Sequence, residues 1–214
     1  MKHSIGLLLV LLLMGWTTPI MAQQWGLSVK YLFDSRGYNT LGVWPQAELP
    51  YGFSLWGFTD LHGNEGKGSR FDLTRSFSEY RLSYPLLKNL RAEVEYNGFT
   101  PQGVDLLRFG GTYQLNLFDG QVWLRGFPLE TDGRGGEVSI EWDMPLFWRL
   151  HFSGWLDLDI EAEKGKDLWF TEPALTVDLT DKLSLIIEGR FNGFEQRLGM
   201  ESGGVAVGLG YVLR

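Results

Sequence analysis

The chain of 214 residues contains no cysteine, which excludes disulfides, thiolate metal sites and thiol nucleophiles together. Histidine is almost absent too: three residues, of which only His62 and His151 lie beyond the first 22. Basic residues are outnumbered, 19 Lys and Arg against 26 Asp and Glu, for a formal net charge of −7. A chain so poor in positive charge is not built to hold nucleic acid, whose phosphates demand a basic face. Beyond residue 22 no apolar run reaches the roughly 18 residues of a spanning helix, so passage through a membrane on helices is excluded.

What is present begins with residues 1–22. Lys2 precedes an apolar stretch from Ile5 to Met14, and a small-residue end, Thr17-Thr18-Pro19-Ile20-Met21-Ala22, leads into Gln23-Gln24. This is the layout of a secretory signal peptide removed on export, the alternative being a retained N-terminal anchor. Residues 23–214 then form one exported domain that, without disulfides, relies on its own sheet for stability. Over the whole chain, glycines (28) and aromatics (9 Trp, 8 Tyr, 14 Phe) are plentiful. A transmembrane barrel wants both, with aromatic girdles flanking an apolar band and small residues where strands bend. A periplasmic β-sandwich is the alternative for the same composition.

Alternation decides between them. Side chains of a strand point to opposite faces in turn, and Val138, Ile140, Trp142 and Met144 alternate with Glu137, Ser139, Glu141 and Asp143. Likewise Ala92, Val94 and Tyr96 stand against Arg91, Glu93, Glu95 and Asn97. One face suits lipid and the other water. Twelve such segments are read at 25–34, 41–49, 53–61, 77–84, 90–97, 106–115, 121–127, 137–144, 148–160, 168–179, 183–192 and 203–213. Short connectors such as Leu49-Pro50-Tyr51-Gly52 and Thr180-Asp181-Lys182 alternate with long glycine-rich ones carrying Gly63, Gly66 and Gly68. The expected fold is therefore all-β: a transmembrane antiparallel up-and-down β-barrel of about twelve strands, or ten if a hairpin merges. Its short turns and both ends face the periplasm, in the outer membrane of a Gram-negative bacterium.

The inward face would carry Asp34, Glu48, Asp60, Glu79, Glu93, Glu95, Glu137, Glu141, Asp143, Asp157, Asp159, Glu172 and Glu188 against Lys30, Arg81, Arg91, Arg108, Arg125, Arg149 and Arg190. Charges in a narrow lumen must pair or stay hydrated. They brace the barrel as a salt-bridge network, or their acidic surplus lines a path that favours neutral or cationic solutes. Inward aromatics, Trp44, Trp56, Phe58, Trp123 and Trp155, offer flat faces to planar or sugar-like solutes; with the opposite phasing they would face lipid. Candidate solute-contacting residues are thus Trp44, Glu48, Trp56, Phe58, Asp60, Arg81, Glu93, Glu95, Arg108, Trp123, Arg125, Trp155, Asp157, Glu172 and Arg190. Catalysis has little material: His62 beside Asp60 has only Ser69 or Ser76 as nucleophile, and His151 shares a face with Ser153 near the periplasmic end. No cofactor or metal is expected.

The segment Phe53-Ser54-Leu55-Trp56-Gly57-Phe58-Thr59-Asp60 resembles the F-x-F-Y-G-Y-A-D strand of the Tsx-type nucleoside-specific channel-forming outer-membrane porins. Glu93-Val94-Glu95-Tyr96-Asn97-Gly98 and Phe170-Thr171-Glu172-Pro173 look like segments of a related Tsx-like barrel family. The resemblance implies a monomeric barrel with a narrow channel in which aromatic and ionisable side chains bind nucleosides, with Trp56, Phe58 and Asp60 carried over. Its partners would be outer-membrane lipid, a small solute and the barrel-assembly machinery. The end Tyr211-Val212-Leu213-Arg214 resembles a barrel-assembly signal but for its last residue, usually aromatic. A passive channel is the leading expectation; a closed structural barrel and a lipid-modifying enzyme are the alternatives. A barrel of this kind should run as a faster, heat-modifiable band on SDS gels, and a mature chain fully soluble without detergent would refute it.

Overall fold

Around the closed sheet every backbone strand has two neighbours. The computed structural model describes residues 24–63, 73–100, 104–131, 135–163, 166–192 and 203–213. The strands are β1 (Gln24–Asp34), β2 (Asn39–Glu48), β3 (Ser54–Gly63), β4 (Leu73–Leu87), β5 (Leu90–Thr100), β6 (Val104–Leu117), β7 (Gly120–Glu130), β8 (Gly136–Pro145), β9 (Leu150–Glu163), β10 (Lys166–Thr171), β11 (Ala174–Asp178), β12 (Leu183–Asn192) and β13 (Gly203–Leu213). All pairings are antiparallel, and β1 closes on β13 from Leu27↔Leu213 to Asp34↔Ala206. Both β10 and β11 lie between β9 and β12, so together they make one stave of a twelve-stave barrel. Such closure is what lets a sheet cross hydrocarbon, because no row of backbone N–H and C=O groups is left unpaired.

The sequence expectation of one unbroken strand at 168–179 is corrected here. Pro173 cannot donate to the ladder, and the stave breaks at Glu172-Pro173. Pairing carries across the break, since Glu172 N donates to the Trp155 carbonyl at 3.1 Å and Gly189 N to the Pro173 carbonyl at 2.8 Å. Pro85, read as a turn residue, instead sits within β4 opposite Arg91, with the register shifting between Pro85 and Leu87. The turn is left to Lys88 and Asn89. In β7 the register shifts between Arg108↔Glu130 and Gly111↔Gly126, so the strand continues past Phe127, where the sequence reading ended it. This shift brings Glu130 into reach of Arg108, at 2.8 Å.

Burial is inverted relative to a water-soluble protein. Among the described residues six apolar side chains are buried against eighteen polar or charged ones, the reverse of the usual preference, which locates the polar groups in the lumen and the apolar ones outside. On β13 Val205, Val207, Leu209, Tyr211 and Leu213 are all exposed, and on β9 so are Leu156, Leu158 and Ile160. An apolar surface this continuous is built for lipid. The connector 35–38, between β1 and β2, lies at the end assigned to long connectors yet is short and folds inward: Tyr38 is 1 % exposed, and Arg36 pairs with Asp34 at 2.7 Å. The signal segment 1–22, the connector residues Gly66 and Gly68, and Ser69 lie outside the described residues.

The closing seam tolerates no side chain at Gly208. A Cβ there would stand 1.8 Å from the Tyr31 carbonyl oxygen and 2.8 Å from Leu32 Cα, both backbone atoms of the facing strand. Gly208→Val should therefore cost about 3 kcal/mol, the upper range for overpacking. Its measure is a lower temperature for the heat-modified band shift than in the wild type; an unchanged transition would contradict the seam geometry.

Candidate functional site

Register builds the lumen wall. Trp56↔Arg81, Arg81↔Glu95, Glu95↔Arg108 and Arg108↔Glu130 are successive cross-strand partners from β3 to β7, so opposite charges are set side by side. Arg81 reaches Glu79 at 2.5 Å, Glu95 at 2.8 Å and Glu141 at 3.1 Å. Arg108 holds Glu95 at 3.0 Å, Asp159 at 2.6 Å, Glu130 and also Glu137. Arg125 adds Glu141 at 2.6 Å and Glu93 at 3.4 Å. A second network lies across the barrel: Arg190 contacts Glu188 at 2.7 Å, Asp34 at 3.5 Å and Glu172 at 3.7 Å, while Lys30 binds Glu188 at 3.0 Å. Asp60 is buried near Lys30. Groups this far from solvent are stable only as pairs, because each isolated charge would bear a desolvation cost of several kcal/mol.

Between the networks aromatic rings cross the lumen. Trp44 stacks on Phe58 at 4.6 Å, and Trp155 meets Trp44 at 5.9 Å and Phe58 at 6.0 Å. Phe58 belongs to β3 and Trp155 to β9, six staves apart in either direction, so their contact spans the barrel's full width. Lys30 sits over Trp44 at 4.3 Å and Arg81 over Trp56 at 4.9 Å, cation–π contacts that tie the rings to both networks. On the short-turn side of this bridge is a cavity of about 710 Å³, whose lining includes Ser28, Gln46, Ser54, Gln114, Thr176 and Ser184, with Lys30, Trp44, Trp56, Arg81, Trp155 and Glu172 at its floor. Asp34, Asp60, Arg108, Glu137 and Arg190 do not line it; they fill the other half of the lumen. The barrel is thus half vestibule and half ionic core.

The sequence-read candidates divide accordingly. Trp44, Trp56, Phe58 and Trp155 come together as the bridge. Arg81, Glu93, Glu95, Arg108 and Arg125 form the first network, with half-buried Asp157 near Arg81; Glu172 and Arg190 belong to the second, and Asp60 is buried near its Lys30. Trp123 is half-buried on the cavity wall, apart from the bridge. Glu48 ends β2 as an exposed rim residue opposite Gln24 and joins neither network. Arg149, expected to face inward, precedes β9 and is 43 % exposed, donating to the Leu179 carbonyl at 3.2 Å. His62 is 3.1 Å from Thr40 Oγ1. Ser76 pairs with Leu61 while His62 pairs with Arg75, so serine and imidazole lie on opposite faces of the sheet. His151 sits at the cavity mouth, 3.3 Å from Asp178.

Sequence reasoning missed several members. Arg36 and Tyr38 lie in a connector, where alternation carries no information. Glu130 enters only through the β7 register shift. Phe170, whose ring stacks on Trp155 at 6.1 Å, could have been found by extending the inward alternation from Glu172.

The architecture is that of an outer-membrane porin barrel. It is similar in structure to the KdgM porin in complex with disordered oligogalacturonate, at a TM-score of 0.56 and 12% sequence identity, over 88% of this chain and 99% of that one. The KdgM porin without that addition gives a TM-score of 0.57 and 13% identity over the same shares. At such identities the likeness is one of fold. No family model matches the chain, and no curated protein matches it. The porin barrel is established by these findings, whereas membership of the Tsx-type family in particular is not.

Removing one partner of a buried pair strands the rest. Arg108→Met would leave Glu95, Glu130, Glu137 and Asp159 without their shared cation and should cost about 3–5 kcal/mol. Arg149→Met, at an exposed ion pair, should cost less than about 1 kcal/mol. Urea unfolding of the two variants in the same detergent measures both; equal midpoints would contradict the network.

Proposed function

We propose that this protein is a passive outer-membrane channel for small solutes, shut in the conformation described, and that neutral planar solutes, nucleosides foremost, are what it admits. The observation that supports this most directly is the floor of the cavity. A volume of about 710 Å³ lies in the range of small-molecule pockets, which hold a ligand between apolar faces and a few placed polar groups. Here the faces are Trp44, Trp56 and Trp155, and the polar groups Lys30, Gln46 and Glu172. Flat indoles beside hydrogen-bonding side chains suit a planar heterocycle. The lumen's acidic surplus disfavours anions. A porin fold, shared with a porin solved with oligogalacturonate, agrees with passage of small solutes.

A second reading, a closed structural barrel without transport, draws on the same geometry. The contact of Phe58 with Trp155 and the ionic half of the lumen obstruct a straight path. The two readings separate by experiment. Proteoliposomes should swell faster in adenosine than in a sugar of similar size, and Trp56→Ala or Asp60→Ala should reduce the adenosine rate several-fold. Trp155→Ala should raise the rate for both solutes by opening the bridge. No swelling in the wild type or in Trp155→Ala would leave the closed barrel as the function; equal rates for adenosine and sugar would defeat nucleoside preference.

A further inference from the structure

The short-turn rim holds two opposite charges that neither ion network uses. Lys30, Arg81, Arg108, Arg125 and Arg190 each have a carboxylate within 3.0 Å. Arg91 has no carboxylate partner among the described residues; its Nε donates to Ser83 Oγ at 2.9 Å and its Nη2 to Ser54 Oγ at 2.6 Å. Directly opposite Ser54, on the next strand, stands Glu48, an exposed carboxylate that meets no cation among the described residues. Glu48 pairs with Ser54 and Ser54 with Ser83, so the four residues form one row across β2 to β5. Arg91 is half-buried and lines the cavity with both serines. The serines hold its guanidinium about one strand spacing, roughly 4.8 Å, from the strand that carries Glu48, and the two charges stay apart.

From this we infer that the row binds the zwitterionic head of a free α-amino acid, its carboxylate on Arg91 and its ammonium on Glu48. Two N–H groups of Arg91 are taken by serines, and those that remain form the fork that matches the two oxygens of a carboxylate. The Ser54 and Ser83 hydroxyls are 2.8 Å apart, so one donates to the other and the second O–H is left for a ligand oxygen. Charges on adjacent strands suit an ammonium and a carboxylate carried on one carbon; the ends of a dipeptide stand roughly 3.5 Å further apart. Trp56 lies two residues along β3 from Ser54, hence on the same face, and lines the cavity, a flat apolar neighbour for an aromatic side chain. The site does not depend on nucleoside passage. Its ligand has no net charge to be repelled by the acidic lumen, and the rim is reached from the short-turn side without crossing the aromatic bridge.

Equilibrium dialysis of the full chain, folded in detergent, tests this with phenylalanine, phenethylamine and 3-phenylpropionate, which share a ring and differ in their charges, and with adenosine, which carries neither charge. Phenylalanine should bind about tenfold more tightly than either singly charged analogue, the worth of one charge-assisted hydrogen bond. Arg91→Met should weaken phenylalanine about tenfold with phenethylamine unchanged. Glu48→Gln should weaken it by a similar factor with 3-phenylpropionate unchanged. A normal heat-modifiable band certifies each variant as folded; Glu48, exposed and outside both networks, tests the row even where Arg91→Met yields no such band. Phenylalanine bound no more tightly than its analogues, or unaffected by Glu48→Gln, would overturn the site. Tightest binding of 3-phenylpropionate would overturn the zwitterion. Loss of adenosine in parallel with phenylalanine in Arg91→Met would make Arg91 a brace of the wall and overturn its role in binding. Phenylalanine bound as expected by a chain that does not bind adenosine would support the row and count against nucleosides alone.

Discussion

A sheet in hydrocarbon cannot leave a backbone hydrogen bond unmade, and the rest of this molecule follows from that constraint. It forces the first strand to meet the last, and the meeting of β1 with β13 turns a twelve-stave ribbon into a barrel with an inside. The close approach at Gly208 and the carriage of pairing across the break at Pro173 are local answers to the same demand. Closure also makes the alternation of each strand count twice. Apolar side chains must turn outward to lipid, and polar ones are then confined to a lumen too narrow to hydrate them all.

Confinement explains the lumen's composition. Ionisable side chains held inside a small barrel can be accommodated by pairing, and the cross-strand succession of Arg81, Glu95, Arg108 and Glu130 supplies the pairs without long side-chain excursions. The consequence is a division of labour along the barrel axis. One half is saturated with ion pairs and resists change; the other keeps a cavity whose floor is aromatic and whose wall is polar. Rigidity in the ionic half is what would hold the indoles of the other half in position for a ligand, since Lys30 and Arg81 belong to an ion network and also sit over Trp44 and Trp56.

The reading of faces from sequence succeeded wherever a strand was regular. Glu79, Arg81 and Ser83, and Glu93, Glu95 and Asn97, are all buried as their parity required. The inward phasing of Trp44, Trp56, Phe58 and Trp155, which alternation alone left open, is resolved by their mutual contacts. It failed where the backbone departs from period two. Arg36 and Tyr38 lie in a connector, and Glu130 lies beyond a register shift. Pro85 misled for a related reason: its missing N–H predicts an end to pairing, but a bulge absorbs it.

Local chemistry therefore determined the class of structure. Period-two alternation, absence of cysteine and absence of a helical span are properties of neighbours in sequence, and they suffice for a membrane barrel with an acidic, aromatic interior. Only the tertiary structure decided which of those interior groups meet. Phe58 and Trp155 are 97 positions apart in sequence and opposite each other in the ring of staves; their contact depends on stave number and register, which are settled by closure. The same holds for Thr112, Arg125 and Ser139, set side by side by the pairing of β6, β7 and β8. A strand's pattern says that a side chain points inward, but what it finds there is set by the strands across the barrel.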